Sequence, residues 1–177
     1  MDKPAVPHQI RKVFEGRVFS VVVESIRTPK GGKMDVEIVR HPGSVVLIPL
    51  TASNDVVLVR QYRHAIGRSA WELPAGTLKP DEEPRKAAAR ECHEEIGLLP
   101  GHLEELGSYF PTPGYCDEEM TFYKATGLRD ASPEDEEAHQ DEDEDIQKQA
   151  FSLDQIRSMI RSGEIIDMKT VAGVALL

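Results

Sequence analysis

Cysteine is scarce in this chain, and long apolar runs are missing. Only Cys92 and Cys116 occur among 177 residues, and they form no C-x-x-C pair. That excludes a zinc knuckle or a dithiol redox motif. No stretch approaches the ~20 apolar residues of a membrane-spanning helix. The opening residues, MDKPAVPHQIRK, lack the apolar core of a secretory leader. No D-x-D-x-D-G loop is present, so a calcium hand is excluded. Positive charge is also short. Lys and Arg number 21 against 31 Asp and Glu, for a net charge of −10. A chain of that sign is not expected to take nucleic acid or a membrane surface as its main partner. A small phosphorylated ligand remains open, because a bound divalent cation reverses the local sign. The expected compartment is the cytoplasm, with both thiols reduced.

What is present suits one compact domain with a real core. Hydrophobic residues make up 40% of the chain and charged residues 29%. Met1 to Ile10 hold two prolines and read as an arm. RVFSVVVESIRT is β-branched and apolar, a strand, and PKGGK (29–33) is a hairpin turn. MDVEIVRH (34–41) alternates apolar and polar as a returning strand. SVVLIPLT (44–51) is continuously apolar, a buried strand, and VVLVRQYR (56–63) is the next. WELPAGTL (71–78) reads as extended. Glu83–Ile96 is Ala-rich and helical, with Pro84 in its first turn and Gly97 at its end. HLEELGSYF leads through a short strand to a Pro-Gly loop, and MTFYKATGL (120–128) is a further strand. Residues 132–149 are an acidic stretch. SLDQIRSMIRSG (152–163) is a helix with a Ser152/Gln155 capping box, and DMKTVAGVALL is a last helix. Strands, one central helix, more strands and then helices predict an α/β fold with a mixed central sheet and helices on its faces.

The helix at 83–96 carries the chemistry. Glu91 and Glu95 are four apart, hence about 40° from one another around the axis, and Glu94 lies on an adjoining line. The three carboxylates share one face. Ala88, Cys92 and Ile96, at i, i+4 and i+8, form an apolar stripe for burial. A triplet of glutamates on a helix is more often a solvated face than a site. Hard divalent cations, however, take oxygen ligands, and Mg²⁺ combines one or two carboxylates with water and substrate phosphate.

The wider pattern is decisive. Gly76, Glu82, Arg90, Glu91, Glu94, Glu95 and Gly97 stand at the fixed positions of a 23-residue box running from Gly76 to Leu98. The segment resembles the Nudix hydrolase signature, with Cys92 in its aliphatic position as the one departure. The resemblance implies a Nudix α/β/α sandwich that hydrolyses a nucleoside diphosphate linked to another group. It implies metal contacts at Glu91, Glu94 and Glu95, with Glu94 and Glu95 also catalytic, and Mg²⁺ as the cofactor with Mn²⁺ as a substitute. It gives Arg90 and Glu82 a structural pairing; the plainer alternative is a surface ion pair of little worth.

The flanks point to a branch. RQYRHAIGRSAWELPAG (60–76) resembles the ADP-ribose pyrophosphatases, as does FPTPGYCDE (110–118), where Pro113 lies 15 residues past Leu98. The resemblance implies Ala75 as a carbonyl metal ligand and Glu72, Arg63 and Arg60 as substrate-binding residues. Arg forks suit diphosphate oxygens, although a strand-end Arg63 in solvent is the plainer reading. Pro113 and Glu118 are further substrate-binding candidates; a turn proline and a solvated acid are the alternatives. EDEDI (142–146) is similar to the branch's E-x-E-x-I loop, which implies Glu142 as general base and Glu144 as a metal contact, with Glu136 and Glu137 as other registers. The branch pairs as homodimers through N-terminal strands. Residues 1–43 are thus expected to be an arm and antiparallel strand region for dimerisation, and 44–177 the hydrolase domain. Dinucleoside polyphosphates are the rival substrate class. A non-catalytic nucleotide sensor is the rival function, which a box retaining all its acids disfavours.

Overall fold

The computed structural model describes residues 7–132 and 146–177. Its contacts divide the chain into two units. One holds the residues up to Gly43 together with Phe110–Glu119. The other holds Ser44–Tyr109 and Met120–Leu177.

The first unit is an antiparallel meander of β1 (Gln9–Glu15), β2 (Ser20–Arg27) and β3 (Lys33–Arg40). The β2–β3 turn falls on the Pro-Gly stretch, with Gly31 at φ 85°, where a side chain would be strained. Strand β1 overlaps the stretch that reads as an arm only at Gln9 and Ile10 and runs on through residues that carry no strand pattern. Every residue of it is exposed, so no buried face imposes the alternation that marks a strand. The 110–119 segment joins this unit through a bridge between Val39 and Cys116. Asp117 clasps it, accepting from Arg40 Nη1 and from the His41 N–H, both at 2.8 Å. Arg40 also pairs with Glu24, a buried carboxylate of β2.

The second unit holds β4 (Ser44–Pro49), β5 (Val56–Arg63), β6 (Arg68–Glu72), β7 (Ala75–Thr77), α1 (Pro84–Ile96) and β8 (His102–Tyr109). It continues with β9 (Met120–Thr126), β10 (Gln147–Phe151), α2 (Leu153–Ser162) and α3 (Met168–Ala175). One sheet runs β7-β4-β9-β8 and the other β10-β5-β6. The first is mixed: β4 is parallel to β9 and antiparallel to β7.

Strand alternation builds the layers. Val45 and Leu47 of β4, with Val57 and Val59 of β5, pack with Ala87, Ala88, Cys92 and Ile96 of α1. Val46, Ile48, Val56 and Leu58 face the other way and pack with Ile156 and Met159 of α2 and Val174 of α3. The sheets are thus covered on both faces, an α/β/α arrangement that explains why β4 is apolar at successive positions. Ile96 is fully buried, and a side chain of that kind contributes about 2–3 kcal/mol. The expected stripe of α1 is its packed side. Strand β10 falls at the end of the acidic stretch; four of its five residues are exposed, so its sequence carries no apolar period. The capping box of α2 is formed: Ser152 N–H donates to Gln155 Oε1 at 2.8 Å and Gln155 N–H to Ser152 Oγ at 3.3 Å. Among the described residues, no helix is long and apolar enough to cross a membrane.

Candidate functional site

Helix α1 is bounded by backbone chemistry. Pro84 occupies its first turn, where a missing N–H costs little. Gly97 ends it at φ 71°, its N–H donating to the His93 carbonyl. Beside the packed stripe of Ala88, Cys92 and Ile96, α1 carries Glu91, Glu94 and Glu95 on the flank that meets β7. Glu91 is 8% exposed, and the other two are half-buried.

Gly76 of β7 meets Glu91 closely. A Cβ placed on Gly76 would fall 1.8 Å from Cδ and Oε1 of Glu91, far inside contact distance. The absent side chain is the space the carboxylate occupies. Next to it, the Ala75 N–H donates to Glu95 Oε2 at 3.2 Å. The strand before the helix therefore touches two of its three acids.

Arg90 offsets the crowded negative charge. Its Nε and Nη2 each donate to the Glu82 carboxylate at 2.8 Å, a bidentate fork. Its Nη1 donates to Glu91 Oε1 at 2.5 Å and to Glu94 Oε2 at 2.6 Å. Arg90 and Glu82 are each only 15% exposed at the side chain, so this is not a solvent-screened surface pair. It ties the 78–83 loop to the helix. Glu82 also accepts from the Lys79 N–H at 2.9 Å. Hydrogen bonds from Arg90 hold the Glu82 carboxyl below the usual glutamate range, and those same bonds bind the Arg90 proton more firmly. Glu91 moves the other way. Burial raises its pKa, and the neighbouring Glu94 adds to the rise, against the pull of Arg90.

The donor set is that of a hard cation: three carboxylates with a backbone turn beside them. Among the described residues, no three acidic, histidine or cysteine side chains already converge on one point. Arg90 stands between Glu91 and Glu94 and occupies oxygens that a cation would share. Glu91, a buried carboxylate whose protonation desolvation favours, is a group that a divalent ion stabilises. On donor chemistry and on the clearance at Gly76, the residues fit such an ion.

A second charged cluster lies in the same unit. Glu72, at the end of β6, is 3% exposed. Arg63, at the end of β5, grips it with Nε at 3.0 and 3.2 Å and Nη2 at 2.6 Å. Lys169 of α3 donates to Glu72 Oε2 at 2.5 Å and to Asp167 Oδ2 at 3.0 Å. Asp167 is the N-cap of α3 and accepts from Thr170 N–H and Oγ1. Thr170 Oγ1 in turn accepts from the Leu73 N–H at 2.8 Å. Burial alone would push the Glu72 carboxyl up. Hydrogen bonds from Arg63 and the charge of Lys169 outweigh it and hold the pKa below the usual range. Lys169, Asp167 and Thr170 were not among the sequence candidates. Their only local signal is the D-x-K-T run at the start of the last helix; Glu72 and Leu73, which Lys169 and Thr170 meet, lie 97 residues away.

The remaining candidates are scattered. Arg60 is exposed on β5, paired in register with Trp71 and Gln147. Pro113 and Glu118 fall in the first unit. Glu118 is half-buried, its Oε1 3.8 Å from His41 Nδ1 and its N–H donating to Cys116 Sγ at 3.4 Å. Glu142 and Glu144 lie outside the described residues, as do Glu136 and Glu137.

The chain is similar to proteins that are already known. A family model described as NUDIX domain matches residues 40–170. The ADP-ribose pyrophosphatase of Bacillus subtilis is 32% identical over 94% of this chain and 88% of its own length. That of Mycobacterium tuberculosis is 36% identical over 90% of this chain and 76% of its own. The methanol dehydrogenase activator of Bacillus methanolicus is 39% identical, covering 94% and 88%. A solved structure titled as that of an ADP compounds hydrolase superposes with a TM-score of 0.80. It covers 98% of this chain and 92% of its own at 19% identity, a likeness of fold.

Proposed function

The chain belongs to the Nudix family, and from that premise we propose that it hydrolyses the diphosphate of ADP-ribose or a related nucleoside diphosphate sugar. The observation that carries the reading is the acid face of α1 closed against Gly76, with Arg90 and Glu82 bracing it. Relatives named ADP-ribose pyrophosphatase, and an Escherichia coli GDP-mannose pyrophosphatase 30% identical over 78% of this chain, support the substrate class.

Glu91, Glu94, Glu95 and the Ala75 carbonyl would hold the cofactor, Mg²⁺ with Mn²⁺ as a substitute, and Glu144 would add a contact. Bound there, the ion supplies charge neutralisation and water activation. Arg63 and Arg60 bind the diphosphate, and Glu72 sets the direction of Arg63. Pro113 and Glu118 are substrate-binding residues by the family resemblance alone. Glu142 takes a proton from the attacking water. The water oxygen bonds to one phosphorus and the bridging P–O bond breaks. ADP-ribose then yields AMP and ribose 5-phosphate.

We further propose a cytoplasmic homodimer in which residues 1–43 are the dimerisation element and 44–177 the hydrolase domain. Support comes from the first unit, whose edge strand β1 is fully exposed and carries Ile10 and Phe14, 58% and 49% exposed. Two unpaired thiols suit a reducing compartment.

The test is a hydrolysis screen of ADP-ribose, GDP-mannose and diadenosine polyphosphates, with Mg²⁺ and with a chelator. Release of AMP from ADP-ribose only with Mg²⁺ is the expected result. Preference for the diadenosine substrates favours the rival class. Tight nucleotide binding with no turnover favours a sensor.

A further inference from the structure

Lys169 has no part in the reaction as described so far, yet it is among the buried charges of the protein. Its side chain is 7% exposed. An ammonium taken out of water is tolerated only against matched anions. Here they are Glu72 and Asp167, at 2.5 and 3.0 Å.

Arg63 meets the same Glu72 carboxylate, and both residues bond to Oε2. Its Nε and Nη2 are committed to that contact. Among the described residues, Nη1 makes no hydrogen bond, and the Arg63 side chain remains 41% exposed. The charge of Arg63 also interacts with Glu95, so it lies within electrostatic reach of the acid face of α1. A guanidinium fork fixes a plane only as well as its carboxylate is fixed. Lys169 fixes that carboxylate from α3. Thr170, the next residue, holds the Leu73 N–H beside it. The first turn of α3 thus grips two successive residues of the segment that leads into Ala75 and Gly76.

We propose that Lys169 is a positioning residue for substrate binding: it locks the Glu72 carboxylate so that Arg63 aims Nη1 at the substrate diphosphate. This rests on the hydrolase reading above. It differs from a simple anchor for α3 because the effect passes through Arg63 and appears in binding.

The experiment is steady-state hydrolysis of ADP-ribose at saturating Mg²⁺ by four proteins: wild type, Lys169→Met, Arg63→Gln and the double variant. Lys169→Met should raise KM about tenfold and leave kcat within about twofold. In the Arg63→Gln background the same change should add less than about twofold, since the group it positions is gone. An unchanged KM in Lys169→Met overturns the inference. So does a full tenfold effect in the Arg63→Gln background. If Lys169→Met does not fold, as judged by circular dichroism, Lys169→Gln, which removes the ammonium and is too short to keep the Glu72 contact, is carried through the same cycle against the same criteria. A wild type inert toward every nucleoside diphosphate sugar overturns the hydrolase reading, and this inference falls with it; an active wild type with an unaffected variant overturns the inference alone.

Discussion

Glu91 reaches its position through a gap that one methyl group would close. With a Cβ only 1.8 Å from the carboxylate, Gly76→Ala must push Glu91 aside or move β7. A displacement of that size at a site that needs fixed geometry predicts a fall in kcat of about a hundredfold. The far-UV circular dichroism should stay that of wild type, because the substitution touches one contact. A variant with wild-type turnover would show that Glu91 need not stand there. Glu72 makes a different prediction. Its pKa is depressed in the folded state, so its contribution to stability is complete above the ordinary glutamate value of about 4.3 and is lost as pH falls through the lower folded value. Glu72→Gln should therefore flatten the acid limb of a plot of urea midpoint against pH. An unchanged slope below about pH 4.3 would contradict the pairing. The box residues were legible in the sequence because their spacing is local to one loop and helix. Lys169 was not, because its partner Glu72 is 97 residues away and no periodic pattern joins them.

Among the elements, α1 was legible from end to end. Pro84, Gly97 and the Ala88-Cys92-Ile96 stripe each act through backbone geometry or burial, which sequence spacing records. β1 and β10 were not, since edge strands with exposed faces need no apolar alternation. The packing of α1 predicts thiol behaviour. Burial, with Glu95 nearby, pushes the Cys92 thiol up to about 12, and its side chain is fully buried. Cys116 is only half-buried. Ellman's reagent should thus modify one thiol in the native protein and both in denaturant, and Cys92→Ala should leave the native amplitude unchanged. Rapid native reaction of Cys92 would mean that the inner face of α1 opens readily.

For the whole molecule, the layers follow from β4 and β5, whose alternate residues face opposite helices. The division into two units was less legible, because Phe110–Glu119 is far in sequence from the strands it joins. The exposed β1 edge predicts a particle of about twice 19.7 kDa by light scattering at working concentration. A monomer mass would sink the dimer. Whether the acid face of α1 drives diphosphate hydrolysis decides what the whole molecule does. The most direct measurement is Mg²⁺-dependent release of AMP from ADP-ribose by wild type and by Glu95→Gln, with folding checked by thermal melting. The predicted result is robust turnover by wild type and a loss of at least about a hundredfold in kcat for a folded Glu95→Gln. Full turnover by that variant would contradict the account.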